Sequence, residues 1–159
     1  MHTDNESPNR LVAQNRRASH DYFILETYEA GLVLSGTEVK SLRQGKASLA
    51  EAYAMVENGQ AFILQMHIPP YEQGNRWNQD PVRKRKLLLH RREIALLERA
   101  VAQKGQTLIP LKLYFSKGYA KLLLAVGKGK KTHDKRHAIA ERDARREVDR
   151  ARRSTERDR

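Results

Sequence analysis

Short apolar runs that are compatible with β-strands recur between residues 21 and 126, and residues 111–115 alternate apolar and polar positions with the period of two that is typical of a half-buried strand. A turn is predicted around residues 29–31. Asn58-Gly59 predicts a tight hairpin because both residues tolerate a positive φ, and a second hairpin is predicted across residues 116–118. The predicted strands cover residues 22–27, 31–36, 52–57, 60–68, 107–115 and 119–126.

Two segments have a helical pattern instead. Residues 37–43 predict a short helix with Thr37 as its N-cap and Gly45 as its stop. Residues 91–104 place three apolar side chains on one face, and Gly105 follows them. Many short strands with few helices favour a mainly β fold, an OB-type six-stranded barrel with two or three flanking helices. A four-stranded α+β sandwich is the alternative.

The two ends of the chain differ from this body. Residues 1–14 are polar, and we expect them to be loose, whereas residues 15–127 form the predicted OB-type body. Residues 128–159 hold 13 Lys/Arg against 7 Asp/Glu, and their only apolar residues beyond alanine are Ile139 and Val148. Such a segment buries too little apolar surface to offset the entropy of ordering its backbone. We therefore expect a flexible basic C-terminal tail, disordered when free and helical when bound to a polyanion.

Charge identifies the class of partner. The formal net charge is +12 and the sequence pI is about 10.2, so a polyanion such as nucleic acid is the expected ligand. Cysteine is absent, which excludes a disulfide framework and a thiolate metal site. No apolar run approaches the roughly 18 residues of a membrane span, and the first residues lack the apolar core of a secretory signal. We expect a cytoplasmic protein with no membrane partner.

Three basic patches are candidates for RNA phosphate contacts. The first is a lead-in to the predicted barrel, formed by Asn15, Arg16, Arg17 and His20. The second is the run of four cations at residues 83–86, directly before three leucines that can anchor it to the body. The third is formed by Lys128, Lys130 and Lys131, whose glycine neighbours let the backbone approach a phosphate chain.

Signals for catalysis are weak. His133 and His137 are four residues apart, as in a zinc-binding helix, but Lys135 and Arg136 lie between them and would repel a dication. We expect no metal and no other cofactor. A nuclease would need clustered carboxylates, and nothing in the spacing of the scattered candidates supports one; they are Glu29, Glu38 and Glu51. We expect no enzymatic activity.

Four segments, in order and spacing, resemble the SmpB family of tmRNA-binding proteins of bacterial trans-translation. They are residues 36–41 (GTEVKS), 83–90 (RKRKLLLH), 110–114 (PLKLY) and 128–136 (KGKKTHDKR). The resemblance implies an OB-type barrel with a flexible tail and no catalysis. It also implies binding to the tRNA-like domain of tmRNA, delivery with elongation factor Tu and alanyl-tmRNA, and rescue of stalled ribosomes. The tail would enter the decoding centre and the empty mRNA channel of the small subunit.

The resemblance also implies roles for single residues. Asn15, Glu29 and Leu88 match family positions involved in tmRNA binding. To them we add the body's basic patches, which are Arg16, Arg17, His20, Arg83, Arg85 and Lys86. The tail residues expected at the ribosomal decoding centre are Lys128, Lys130, Lys131, His133, Asp134, Lys135 and Arg136.

Two rival functions remain open from the residues. One is a general single-strand RNA chaperone built on an OB barrel, which would protect random RNA as well as tmRNA. The other is an RNA-processing nuclease, which would cleave RNA with magnesium and lose that activity in Glu29→Gln.

Overall fold

In the part of the chain that it describes, the computed structural model has seven strands and four α-helices. It describes the backbone of residues 10–130 and 132–157, and the side chains of these residues except 75–77, 132–138, 141 and 154–157. The strands are β1 Arg10–Gln14, β2 Tyr22–Leu32, β3 Tyr53–Glu57, β4 Gln60–Leu64, β5 Arg85–Leu88, β6 Gln106–Ser116 and β7 Tyr119–Gly129. The helices are α1 Ala18–Asp21, α2 Gly36–Arg43, α3 Arg91–Val101 and α4 Thr132–Arg157, with a 3₁₀ helix at Glu72–Trp77.

The strands form one antiparallel sheet in the order β1-β6-β3-β4-β5-β2-β7, and a further β6–β7 pairing closes it. The closed ring therefore has six strands, and β1 is added outside it. Strand β6 makes this possible because it is 11 residues long. It pairs with β7 along one edge, while β3 and β1 share the other edge at Leu108 and at Phe115. The predicted OB-type, mainly β architecture is confirmed.

The core lies inside the barrel and under two helices. Leu42 of α2 and Leu97 of α3 are fully buried, so both helices pack their apolar side onto the barrel. Burying one leucine stabilises a fold by about 1.5–3 kcal/mol. The inward-facing strand residues with at most 1% exposed surface include Ile63, Leu87, Leu108, Leu113, Leu122 and Leu124.

Local turn chemistry predicts the two hairpins correctly. Asn58 and Gly59 both adopt a positive φ, of 51° and 72°, between β3 and β4. Lys117 and Gly118 do the same between β6 and β7. Helix α3 is confirmed as well, although it ends at Val101 rather than at residue 104.

The predicted turn at residues 29–31 is wrong. Strand β2 runs unbroken through this region, with Ala30 fully buried in the core. Gly31 is needed for close packing rather than for a turn. A Cβ built on it would lie 3.2 Å from the Cβ of Leu88, which is tighter than ordinary van der Waals contact.

Two strands escape the sequence patterns. Residues 10–14, within the segment expected to be loose, form β1 because β6 offers them a free edge. Strand β5 covers the end of the cationic run and the first two leucines. The uninterrupted charges, followed by uninterrupted leucines, conceal the alternation of inward and outward positions. Helix α2 begins one residue earlier than expected, and its N-cap is Ser35, which exchanges hydrogen bonds with Glu38. Gly45, with a φ of +76°, follows the end of the helix as predicted.

The tail forms the 26-residue helix α4. Its described side chains, within residues 139–153, are all exposed, including Ile139 and Val148, so tertiary burial does not hold this part of the helix. A change from disorder in the free protein to a helix on the ribosome stays a prediction. Among the helices that the structure describes, none is both long and apolar enough to cross a membrane.

Candidate nucleic-acid interface

One row of side chains crosses five neighbouring strands on the outside of the barrel. Leu11 of β1 is opposite Tyr114 of β6, which is opposite Lys121 of β7. Lys121 is in turn opposite Gly31 of β2, which is opposite Leu88 of β5. Directly opposite residues in antiparallel strands share a face. The row is thus continuous, with a half-exposed leucine at each end.

The outward direction of this row follows from its neighbours. Leu87 and Leu122, which are adjacent in sequence to members of the row, have at most 1% exposed surface and point into the core. Because successive strand residues point to opposite faces, the row points outward. A second outward row lies beside it, formed by Glu29 of β2, Leu123 of β7 and Lys112 of β6.

We call these two rows together the Glu29 face. It consists of Leu11, Glu29, Gly31, Leu88, Lys112, Tyr114, Lys121 and Leu123. It combines one carboxylate, two lysines and apolar groups, which can meet a base edge, phosphates and an unstacked base.

Tyr114 holds the Glu29 carboxylate in place. The tyrosine hydroxyl donates a hydrogen bond to Oε2 of Glu29. Burial, together with this bond and the negative charge of Glu29, raises the pKa of Tyr114 far above its ordinary value. The hydroxyl therefore stays a donor, and the Glu29 side chain remains exposed with Oε1 outside that bond. Glu29 can accept a hydrogen bond from guanine or ribose without first reorienting.

Leu88 is placed by glycine. Its side chain is 52% exposed and lies against Gly31, where any larger residue would push it away. Lys86, two residues earlier on β5, is exposed on the same face. Leu88, the predicted apolar contact, and Lys86, a predicted phosphate contact, are thus neighbours on one face.

The cationic run divides by strand alternation. Arg85 has no exposed surface, and its guanidinium donates to Glu38, to the Met66 carbonyl at 2.6 Å and to the Pro81 carbonyl at 3.0 Å. RNA has no access to Arg85, so its assignment as an RNA contact is wrong. Its charge is used inside the body because inward positions of β5 enter the core.

Glu38 binds two arginines. Its Oε1 lies 2.5 Å from Nη2 of Arg83, and its Oε2 lies 2.5 Å from Nε of Arg85. Burial by itself would raise the pKa of Glu38, but hydrogen bonds from Arg83, the Ser35 N–H and Arg85 outweigh it and leave the pKa below 4.5. Burial lowers the pKa of Arg85, with Glu38 opposing. We call this group the Glu38 cluster, consisting of Glu38, Arg83 and Arg85.

Arg83 is mainly a member of that cluster. Its side chain is 28% exposed, and its Nε is within 3.2 Å of both Glu38 oxygens. Lys84, one residue later, points outward, pairs with Glu57 at 2.7 Å and places its Nζ 4.2 Å from the centre of the Phe62 ring. Of the four consecutive cations, only Lys84 and Lys86 are exposed.

The basic lead-in lies at the other end of β2. The Asn15 side-chain amide donates to the Pro110 carbonyl at 3.1 Å. This hydrogen bond holds the chain just after β1 against β6. Arg16 and Arg17 are exposed, and His20 is 3.0 Å from the Asp21 carboxylate.

Helix α1 fixes the position of this lead-in. Its Ala18 packs on Ile109 and Ala125 on the outside of the barrel, with Tyr22 beside them. A strand rises about 3.3 Å per residue, so Tyr22 and Gly31 are about 25–30 Å apart along β2. The lead-in and the Glu29 face are therefore two surfaces and not one patch.

The root of the tail lies beside α1. Lys128 is exposed and opposite Phe23 across β7 and β2, whereas Lys130 is half-buried and bonded to the body. Lys131 lies outside the described residues. The same holds for the side chains of His133, Asp134, Lys135, Arg136 and His137, so their predicted roles stay predictions.

Sequence reasoning missed Tyr114, Lys112 and Lys121. Each is adjacent in sequence to a core leucine, Leu113 or Leu122, and so points away from the core, although Tyr114 is itself covered by its neighbours. Their proximity to Glu29 depends on strand register, and one sequence does not give the register between β2 and β7.

The candidate nuclease carboxylates do not come together. Both carboxylate oxygens of Glu38 form salt bridges with arginines, while Glu29 lies on β2 beside Tyr114. Within the side chains that the structure describes, no group of three or more His, Cys, Asp or Glu is placed to hold a metal ion.

Comparison with known proteins identifies relatives over most of the chain. The family profile described as SmpB protein matches residues 12–154. The "SsrA-binding protein" of Anoxybacillus flavithermus is 61% identical over 142 residues, which cover 89% of this chain and 92% of that protein. The "SsrA-binding protein" of Bacillus subtilis is 54% identical over 142 residues, covering 89% and 91%.

A solved structure agrees with these relatives. One chain from the work "tmRNA-SmpB: a journey to the center of the bacterial ribosome" is 53% identical, with a TM-score of 0.66, and covers 79% of this chain and 92% of that one. The GTEVKS and RKRKLLLH segments, which form the Glu38 cluster and β5, lie inside the matched region. The chain belongs to the SmpB family.

Proposed function

We propose that this chain binds the tRNA-like domain of tmRNA and supports trans-translation, the rescue of stalled ribosomes with tagging of the nascent chain. The Glu29 face binds the RNA. The complex reaches the ribosome with elongation factor Tu, and the tail enters the empty mRNA channel. The protein works in the cytoplasm and performs no catalysis itself.

The observation that carries the proposal is the Glu29 face in a member of this family. Two relatives are named SsrA-binding protein, and the related structure is described as tmRNA-SmpB in the ribosome. The face offers an oriented acceptor at Glu29, an exposed apolar group at Leu88 and lysines on the neighbouring strands. These groups suit an RNA loop with unstacked bases better than a regular duplex.

The tail has a separate task in this proposal. It carries a net charge of +6 and no core of its own, so it can follow a channel lined by RNA phosphates. The predicted contacts of His133 and the Asp134-Lys135-Arg136 motif with the decoding centre belong to this step. Binding of tmRNA and licensing of tagging should therefore be separable.

A paired variant experiment tests this division. Leu88→Asp places a negative charge on the RNA surface and should weaken tmRNA binding about 10- to 100-fold, the equivalent of ~1.4–2.8 kcal/mol. Removal of the residues after Lys131 should leave the affinity within about twofold, since the phosphate contacts of the body remain, and abolish tagging. Affinity is measured by gel shift and tagging on a non-stop message.

Leu96→Asp is the matched control for Leu88→Asp because Leu96 is a similarly exposed leucine on α3, at 43%. It should leave tmRNA affinity unchanged. Equal losses of binding from the truncation and from Leu88→Asp would refute the division of labour. Protection of random RNA as strong as that of the tmRNA elbow would favour a general RNA chaperone. RNA cleavage with magnesium that Glu29→Gln abolishes would favour a nuclease.

A further inference from the structure

Lys130 is fixed to the body by three contacts. Its Nζ donates to the Ser19 carbonyl at 2.9 Å, and its backbone N–H donates to the Asp21 carbonyl at 2.9 Å. The same Nζ lies 4.9 Å from the centre of the Phe23 ring, within the range of a cation–π contact. These contacts join the end of β7 to α1 and to the start of β2.

Helix α1 explains why a lysine is needed at this position. It has only four residues, and its own backbone supplies few donors for its last carbonyls; the Tyr22 N–H donates to the Ala18 carbonyl, while the Ser19 carbonyl accepts from Lys130. Lysine side chains commonly satisfy such carbonyls at helix C-termini. Here the lysine comes from 111 positions further along the chain, which makes the contact a tertiary cap rather than a local one.

A fourth contact, made by the neighbouring residue, holds the same segment from the other side. The Gly129 N–H donates to the Gly105 carbonyl at 3.2 Å, in the turn between α3 and β6. Only position 131 separates Lys130 from Thr132, where α4 begins, and α4 contacts α1. Since a single residue links Lys130 to α4, the backbone direction at Lys130 should determine the direction in which α4 begins.

We propose that Lys130 is a positioning residue that sets the direction in which the tail leaves the body. We call its contacts with Ser19, Asp21 and Phe23 the Lys130 anchor. This role replaces the phosphate contact expected for Lys130, because its ammonium group already has a carbonyl and a ring as partners. The consequence for tagging rests on the proposed function, while the anchor itself does not.

Lys128 provides a matched control. It lies two residues earlier, is exposed and carries the same charge. Lys128→Ala and Lys130→Ala therefore remove one positive charge each from the same segment, but only the second removes the two side-chain contacts of the anchor, while the backbone bond to the Asp21 carbonyl remains in both. Phe23→Ala is complementary because it weakens the anchor without changing the net charge.

The anchor is tested first in the free full-length protein. The chain has no cysteine, so Gln103→Cys gives a single spin-label site on an exposed residue near the Gly105 turn. Paramagnetic broadening of the amide signals from Thr132 to Ala140 should be uneven in the otherwise unchanged chain and in Lys128→Ala. It should become clearly more even in Lys130→Ala, because only the backbone bonds then restrict the exit direction. An identical pattern in all three proteins would overturn the anchor.

Tagging on a non-stop message is the second readout. Lys130→Ala should lower the tagging rate about tenfold with tmRNA affinity within about twofold, because a charge-assisted hydrogen bond and a cation–π contact are lost together. Lys128→Ala should lower tagging at most about twofold, the effect of one exposed phosphate contact. Phe23→Ala should fall between them, and Lys130→Arg should retain most of the activity because it still donates to the carbonyl.

Equal tagging losses in Lys128→Ala and Lys130→Ala would mean that only charge matters, and would overturn the proposal. Failure of the proposed function is distinguishable from this result. A protein that does not bind tmRNA at all gives no tagging in any variant, while the broadening pattern still reports the anchor.

Discussion

Glu29 and Glu38 lie only nine positions apart in the sequence, yet they belong to regions that use charge in opposite ways. In the Glu38 cluster a carboxylate with 4% exposure is bound by two arginines and stays inside the body. On the Glu29 face a carboxylate is steadied by a single tyrosine hydroxyl and remains exposed to a ligand.

The difference teaches how burial assigns a role to a charge. A buried ion pair that loses one partner leaves an uncompensated charge, so an incomplete Glu38 cluster should make the body much less stable. An exposed carboxylate is hydrated in the free protein and can exchange water for a ligand at little cost to folding. Changes in the Glu38 cluster should therefore affect stability, whereas changes on the Glu29 face should affect binding.

The largest effect is expected for Arg85→Met. It removes a buried cation and leaves Glu38 with Arg83 alone, which should lower the free energy of unfolding by about 3–5 kcal/mol. Urea denaturation followed by circular dichroism measures it. Lys84→Met is the matched control, since Lys84 forms an exposed pair with Glu57. Its loss should cost at most about 1 kcal/mol. Equal losses in the two variants would remove the distinction between the regions.

Acidification should titrate the same cluster. The folded pKa of Glu38 lies below its ordinary value of 4.5, so ionised Glu38 contributes stability above that pH. This contribution is lost as the pH falls from about 4.5 through the folded pKa. Glu38→Gln cannot titrate, so the difference in unfolding free energy between the two proteins should shrink as the pH falls from 6 to 3. A constant difference over this range would contradict an ionised, arginine-bound Glu38.

Sequence predicts these regions to different extents for a physical reason. The Asn58-Gly59 and Lys117-Gly118 hairpins follow from the φ preferences of two adjacent residues. The Glu38 cluster joins α2 to β5 across 47 positions. Nothing in the sequence shows that Glu38 and Arg85 are partners, since each could pair with many other charged residues.

The Glu29 face has the same difficulty on a larger scale. Leu88 was expected at the RNA surface through the family resemblance, but Lys121 and Tyr114 reach it only through the register of four strands. The prediction that Arg85 contacts RNA is wrong because four consecutive cations look alike in the sequence, whereas strand alternation turns Arg85 inward.

On the Glu29 face, Glu29→Ala should weaken tmRNA binding about 10- to 100-fold, the discrimination typical of one well-oriented contact to a base. The free energy of unfolding should change by less than about 1 kcal/mol, because the side chain is exposed. Tyr114→Phe keeps the carboxylate but removes the bond that orients it, and should give a smaller loss of affinity. Gel shifts and urea denaturation on the same samples separate the two effects. A stability loss as large as that of Arg85→Met would show that Glu29 is structural after all.

The smallest effect is expected for Lys121→Ala, which tests whether the Glu29 face contacts phosphates as well as a base. Loss of one phosphate contact should reduce the slope of log affinity against log salt by about 1 and weaken binding similarly for all RNA sequences. Lys104→Ala removes the same charge from an exposed position after α3. It should leave the slope nearly unchanged, because charges beyond about 10 Å are largely screened at 0.1 M salt. Equal slopes for Lys121→Ala and Lys104→Ala would mean that the row through Tyr114, Lys121 and Gly31 is not in contact with the RNA backbone.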